Sequence, residues 1–194
     1  AMQINAGQMP DIGNTVERNY KPLILRLSAL RVPTIAAVNG IAAGAGASLA
    51  LACDLVVAAK SASFLQAFSK IGLIPDTGGT WFLPQRIAMA RAMGLALLAD
   101  KLPAEKAADR GLIWAAVYDD AFAATITELA ERLAVAPTKA LVRTRQAMHA
   151  AQNHTLEQQL SFEGMCMREL GWSKDYAEGV AAFTAKRPPN FTGE

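Results

Sequence analysis

Two short segments of the 194-residue chain hold the residue types and spacings best suited to chemistry. The first is Asn39-Gly40-Ile41-Ala42-Ala43-Gly44-Ala45-Gly46-Ala47-Ser48. Small residues let a backbone approach a ligand closely. Free N–H groups at a helix start can hold an anion, or an oxygen that becomes negative during a reaction. The same composition also suits a Gly/Ala-rich helix packed tightly on a sheet, and spacing alone does not separate the two. The second segment is Ile71-Gly72-Leu73-Ile74-Pro75-Asp76-Thr77-Gly78-Gly79-Thr80-Trp81. Here a single carboxylate, Asp76, sits among apolar residues just before a Gly-Gly turn. An isolated carboxylate in such a place can shuttle a proton; it can equally serve as the N-cap of the next helix.

Other chemistries fit poorly. Gly44-x-Gly46 imitates a dinucleotide fingerprint, but Leu49 occupies the third glycine position and five residues separate the preceding strand from Gly44. The strand that follows ends in Lys60 rather than in an acidic ribose ligand. There is no G-x-S-x-G elbow, and Ser48 has no evident base. The two histidines, His149 and His154, fall on late helices and read as surface residues. Cys53 and Cys166 lie far apart without metal-ligand spacing, against a disulfide scaffold or zinc module and in favour of a reduced, cytoplasmic setting. No metal and no separate cofactor are expected. Lys+Arg is 19 against Asp+Glu 17, with no basic stripe, so nucleic acid is not an expected partner. The uncharged run from Val32 to Cys53 has the length of a membrane span. Pro33, Asn39, Gly40, Gly44 and Gly46 make it a strand, a glycine turn and a buried helix instead, and no membrane partner is expected. The first residues lack the basic-then-apolar form of a signal peptide, and Ala1 ahead of Met2 reads as a cloning scar.

The elements that must position these segments follow from periodicity. A composition 52% hydrophobic and 19% charged supports a packed core. Residues 1–14 read as an irregular lead-in. A helix is predicted from Thr15 to about Leu30, with a Glu17–Lys21 pair and an apolar stripe of Leu23, Leu27 and Leu30. Buried strands are predicted at 34–38 and 54–59, a short one at 63–65, and another at 113–118. Helices are predicted at 44–53, at 77–97 with a break at Pro84, and at 103–110 with Gly111 past its end. After Asp119 the pattern is helical throughout. Phe122, Ile126, Leu129, Ala130 and Leu133 mark one helix, Pro137 starts the next, and Thr155 with Gln158 caps a third. A last helix spans 173–186 before Pro188-Pro189. This is an α/β arrangement followed by helices.

Taken together, the segments resemble the crotonase family of enoyl-CoA hydratases and isomerases. The matching residues are 33–40 (Pro-Thr-Ile-Ala-Ala-Val-Asn-Gly), Gly44-Ala45-Gly46, Cys53-Asp54, 71–80 (Ile-Gly-Leu-Ile-Pro-Asp-Thr-Gly-Gly-Thr) and 178–191, Glu-Gly-Val-Ala-Ala-Phe through Pro-Pro-Asn-Phe. Their order and spacing hold from about Val16 to Gly193. The resemblance implies a spiral of ββα units over residues 1–134 and a helical oligomerisation region over 135–194, building a homo-trimer or a dimer of trimers. It implies an acyl-CoA thioester substrate whose enolate is held by two backbone N–H groups. One falls on Ala45, beside Gly44. The other lies in a family segment before residue 1, so roughly the first quarter of the family fold would precede this chain. The two hydratase glutamate positions fall on Ser48 and Phe68, whereas Asp76 falls where many isomerases of the family keep a carboxylate. The branch most resembled acts on ring-epoxidised phenylacetyl-CoA, and Val16-Glu17-Arg18-Asn19-Tyr20 supports it. Leu73, Ile74 and Trp81 are implied as substrate-binding, and Phe183 with Lys186, three apart on one helix, as holding the CoA of an adjoining subunit. A hydratase-type lyase, a nucleophilic Asp76 as in aryl-CoA dehalogenases, and a silent acyl-CoA-binding subunit remain the alternatives.

Overall fold

A computed structural model describes residues 11–194. Residues 1–10 of the predicted 1–14 lead-in lie outside them, and its end is helical rather than irregular. Two compact units emerge, one built from residues up to Ala29 with Ala36–Phe122, the other from Leu30–Ile35 with Ala123–Glu194.

The first unit opens with α1 (Ile12–Thr15), whose first turn is capped by Asp11 accepting from the Asn14 N–H at 2.8 Å. A π-turn (Val16–Tyr20) leads into α2 (Lys21–Ser28). The helix therefore begins earlier than its composition predicts, because Asp11 provides the cap. The Glu17–Lys21 pair forms at 2.8 Å. The predicted apolar stripe is corrected: Leu23 and Leu30 are exposed, and Ile24 is the residue of α2 that packs on the core.

Two three-stranded sheets follow, in the orders β1-β3-β6 and β2-β4-β5. They comprise β1 (Ile35–Val38), β2 (Ile41–Ala43), β3 (Leu55–Ala59), β4 (Ser63–Leu65), β5 (Leu102–Pro103) and β6 (Ala115–Val117). Strand β2 went unpredicted. Its three residues pair in parallel with β4, Ile41 opposite Ser63 and Ala43 opposite Leu65, and nothing in so short an apolar stretch distinguishes strand from turn. The β3 strand is nearly all buried, as its continuous apolar run requires, and pairs in parallel with β6.

Between the strands lie α3 (Ala45–Leu51), α4 (Gly79–Leu98) and α5 (Ala104–Asp109). Leu51, Val56, Phe64, Leu83, Ile87 and Leu112 anchor the core they share. The break in α4 is not at Pro84 but at Ala88, where φ is 61° and ψ 161°. A proline in the second turn forfeits one donor without leaving the helical φ range. The chain turns instead at a small residue, between buried Ile87 and buried Ala92. Arg86 reaches back from α4 and donates to the carbonyls of Leu51 and Cys53 at 2.7 and 3.0 Å, closing the C-terminal end of α3. Burial is the largest influence on this guanidinium and lowers its pKa, with Cys53 and Asp54 opposing.

The second unit is helical: α6 (Phe122–Ala134), α7 (Thr138–Ala150), α8 (Leu156–Leu170) and α9 (Lys174–Thr184). The predicted capping box forms, with the Gln158 N–H donating to Thr155 Oγ1 at 3.2 Å and the Thr155 N–H to Gln158 Oε1 at 2.9 Å. Lys139 and Arg143 of α7 bind Glu169 of α8 at 3.2 and 2.5 Å. The segment after α9 is held by α9 itself. Buried Asp175 accepts from the Thr192 and Gly193 N–H groups at 2.7 and 2.9 Å. Glu178 accepts from Arg187 at 2.6 and 2.8 Å and from the Asn190 N–H at 2.7 Å. Among the described residues no helix is long and apolar enough to cross a membrane, and no cluster of ligating side chains could hold a metal ion.

Candidate active site

The candidate residues of the first unit are joined by short contacts. Gly44 takes φ 53° and ψ −123° between β2 and α3, a region that penalises a side chain. Its N–H donates to the Leu65 carbonyl at 2.8 Å. A Cβ on Gly44 would lie 3.4 Å from the Phe68 ring. Ala45 follows as the first residue of α3, so its N–H is one that a helix leaves without an internal acceptor. Ser48 is fully buried one turn later, and its N–H donates to the Gly44 carbonyl at 3.1 Å. A Cβ on Gly79 would stand 2.7 Å from Ser48 Oγ and 3.0 Å from Pro75 Cβ. The chain of contacts thus runs from Phe68 through Gly44 and Ser48 to Gly79 and the Pro75-Asp76 turn.

Asp76 is half-buried in that turn. It is not the N-cap of α4: Gly78 holds that place, and no side chain caps the helix. The Asp76 carbonyl instead accepts from the Gly79 N–H at 2.8 Å, and its Oδ1 accepts from Thr77 Oγ1 at 2.9 Å. Leu73, whose N–H donates to the Phe68 carbonyl at 3.0 Å, and Ile74 form an exposed apolar ledge ahead of Asp76. Trp81, 54% exposed, stands in the first turn of α4 beyond it. A carboxylate, an unspent helix-start N–H and an apolar approach can together take a proton from a carbon acid and steady the resulting anion.

A match to the enoyl-CoA hydratase/isomerase family spans residues 2–194. The chain belongs to that family. It is 54% identical over 188 residues to the 1,2-epoxyphenylacetyl-CoA isomerase of Escherichia coli, covering 97% of this chain and 72% of that protein. It is 50% identical over 183 residues to a Rhodobacter capsulatus protein named "Probable enoyl-CoA hydratase", covering 94% of this chain and 71% of that one. The enoyl-CoA hydratase structure from Bacillus anthracis superposes with a TM-score of 0.91 at 32% identity, over 97% of this chain and 73% of that one. The fold is the crotonase fold, with strands and helices followed by C-terminal helices, and the chain is an enzyme of this family.

The family residues of the second unit stand differently from their sequence reading. Phe183 lies on α9 and is 87% exposed. Lys186 does not share its helical face, because α9 ends at Thr184. Lys186 has φ 52°, its N–H donates to the Phe183 carbonyl at 3.2 Å, and the Arg187 N–H donates to the Ala182 carbonyl at 3.0 Å. This is a Schellman ending with lysine in the place glycine usually takes. An apolar groove of about 430 Å³ borders Phe183, Val180, Met167 and Phe191. His149 is exposed, as its position on a late helix predicts, whereas His154 lies just before α8, half-buried, with a ring nitrogen 3.0 Å from Gln159 Oε1.

Sequence reasoning missed Thr77 and Gln66. Gln66 is buried, with no partner for its Oε1 among the described residues, 3.8 Å from where a Gly79 Cβ would be. The polar residue between Asp76 and Gly78 was visible, but its backbone conformation was not.

Proposed function

We propose that the chain is an acyl-CoA isomerase. Asp76 removes a proton from a carbon activated by the thioester, the enolate oxygen rests on the Ala45 N–H beside Gly44, and Asp76 returns the proton at a different carbon. Leu73, Ile74 and Trp81 line the acyl approach. The observation that carries this reading is that Ser48 and Phe68, at the two hydratase glutamate positions, are packed neutral side chains, while Asp76 is the carboxylate at the end of the same contact chain. Similarity to the 1,2-epoxyphenylacetyl-CoA isomerase supports a ring-epoxide substrate, with a straight-chain enoyl-CoA as the alternative. The CoA moiety belongs to the substrate, so no other cofactor takes part. Phe183 and Lys186 hold the CoA of an adjoining copy in a cytoplasmic homo-trimer or dimer of trimers, a reading supported by the exposure of Phe183 and the apolar groove beside it.

Asp76→Asn keeps the shape and removes the base. It lowers isomerisation of a 3-enoyl-CoA by about 10²–10⁴ while CoA-ester affinity stays near wild type; undiminished turnover would defeat the proposal. The hydratase reading is kept open by the name of the Rhodobacter capsulatus relative. Crotonyl-CoA hydration separates the two. It is negligible beside isomerisation if the neutral side chains of Ser48 and Phe68 leave no base to activate water.

A further inference from the structure

We propose that Thr77 is a positioning residue for Asp76: its hydroxyl, presented by a left-handed backbone, fixes one carboxylate oxygen and leaves the other for substrate. This rests on the reading of Asp76 as the acid/base.

Thr77 has φ 54° and Gly78 has φ 83°, and the Gly79 N–H closes the turn on the Asp76 carbonyl at 2.8 Å. Two successive left-handed residues define a turn whose central positions favour glycine, asparagine or aspartate. A β-branched residue is a poor choice there, because its branched Cβ crowds the backbone. Threonine is nonetheless present, and it is buried, 5% exposed, so bulk water cannot satisfy its hydroxyl. The partner it has is Asp76 Oδ1, at 2.9 Å. Glycine would fill the turn with less strain, but it would leave the carboxylate free to rotate. The hydroxyl therefore answers a requirement that the backbone does not impose.

In the proposed reaction the Thr77 hydroxyl keeps its proton. Asp76 Oδ2 takes the substrate proton, and the C–H electron pair enters the thioester enolate. On reprotonation the pair forms the new C–H bond, and Oδ2 is ionised again. A carboxylate pinned at Oδ1 presents Oδ2 in one orientation for both transfers.

The test compares Thr77→Gly, Thr77→Val and Thr77→Ser with wild type and with Asp76→Asn, measuring melting temperature together with kcat and KM on cis-3-hexenoyl-CoA. Thr77→Gly melts no lower than wild type yet loses about ten- to hundredfold in kcat, with KM little changed. Thr77→Val, which keeps the branch but not the hydroxyl, loses kcat similarly, and Thr77→Ser restores most of it. The proposal is overturned if the glycine or valine variant keeps wild-type kcat, or if serine is as impaired as valine. Loss in Asp76→Asn beside full activity in Thr77→Gly would sink the positioning role alone; full activity in Asp76→Asn would sink the base itself.

Discussion

At the scale of single residues the candidate site depends on missing side chains as much as on present ones. Gly79 is one such case. Any Cβ there meets buried Ser48 Oγ at 2.7 Å and Pro75 Cβ at 3.0 Å, distances at which something must shift. Gly79→Ala should cost about 1–3 kcal/mol by overpacking and displace the turn that carries Asp76. Urea unfolding and turnover measured on the same variant check this: both should fall together, and an unchanged midpoint would show that the contact yields. Gly79 was legible in the sequence only as half of a Gly-Gly pair. Its neighbour in space, Ser48, lies 31 positions away, and no local pattern reports such an approach. Asp76 was legible as an isolated carboxylate, with the capping role as a rival, and only the observed Gly78 cap separates the two.

At the scale of elements the sequence was most informative where one rule decides. The Thr155–Gln158 box, the buried run of β3 and the late helices needed only capping or period. It was least informative where tertiary contacts decide: the strand at Ile41–Ala43, the break at Ala88, and the end of α9 two residues before Lys186. The end of α9 also carries a pH dependence. The Arg187 guanidinium, followed by the Asn190 N–H, holds the Glu178 carboxyl down at about 2, against an ordinary value of 4.5. A carboxylate held below its unfolded value contributes stability that is complete above about pH 4.5 and fades as pH falls toward 2. Wild type should therefore melt above Glu178→Gln at neutral pH, and the gap should close on acidification through that window. A gap independent of pH would mean that the clamp acts by shape rather than by charge.

At the scale of the whole molecule, the second unit exposes much apolar surface. Leu156, Met167, Trp172 and Phe183 all stand in solvent in the single chain. Exposed apolar side chains of this kind suit the interface that the proposed assembly needs. Sedimentation should give a trimer or a multiple of it at micromolar concentration, and a monodisperse monomer would contradict the assembly. Phe183→Ala should weaken both association and CoA-ester affinity. On the proposed CoA contact, Lys186→Ala should weaken only the affinity, and more at low salt than at high, because salt screens the attraction between an ammonium and a phosphate.

The left-handed alanine at position 88 has a consequence for how disturbance spreads. A helix melts as a cooperative ladder, each bond making the next easier to keep. At Ala88 the ladder is interrupted, so α4 is two short ladders placed end to end. Fraying that begins at Leu98 stops before it reaches Gly79. The distal half is held by Ala92 and Leu95 in the core rather than by the ladder of the proximal half, so its last turn can open without retuning the turn that presents Asp76.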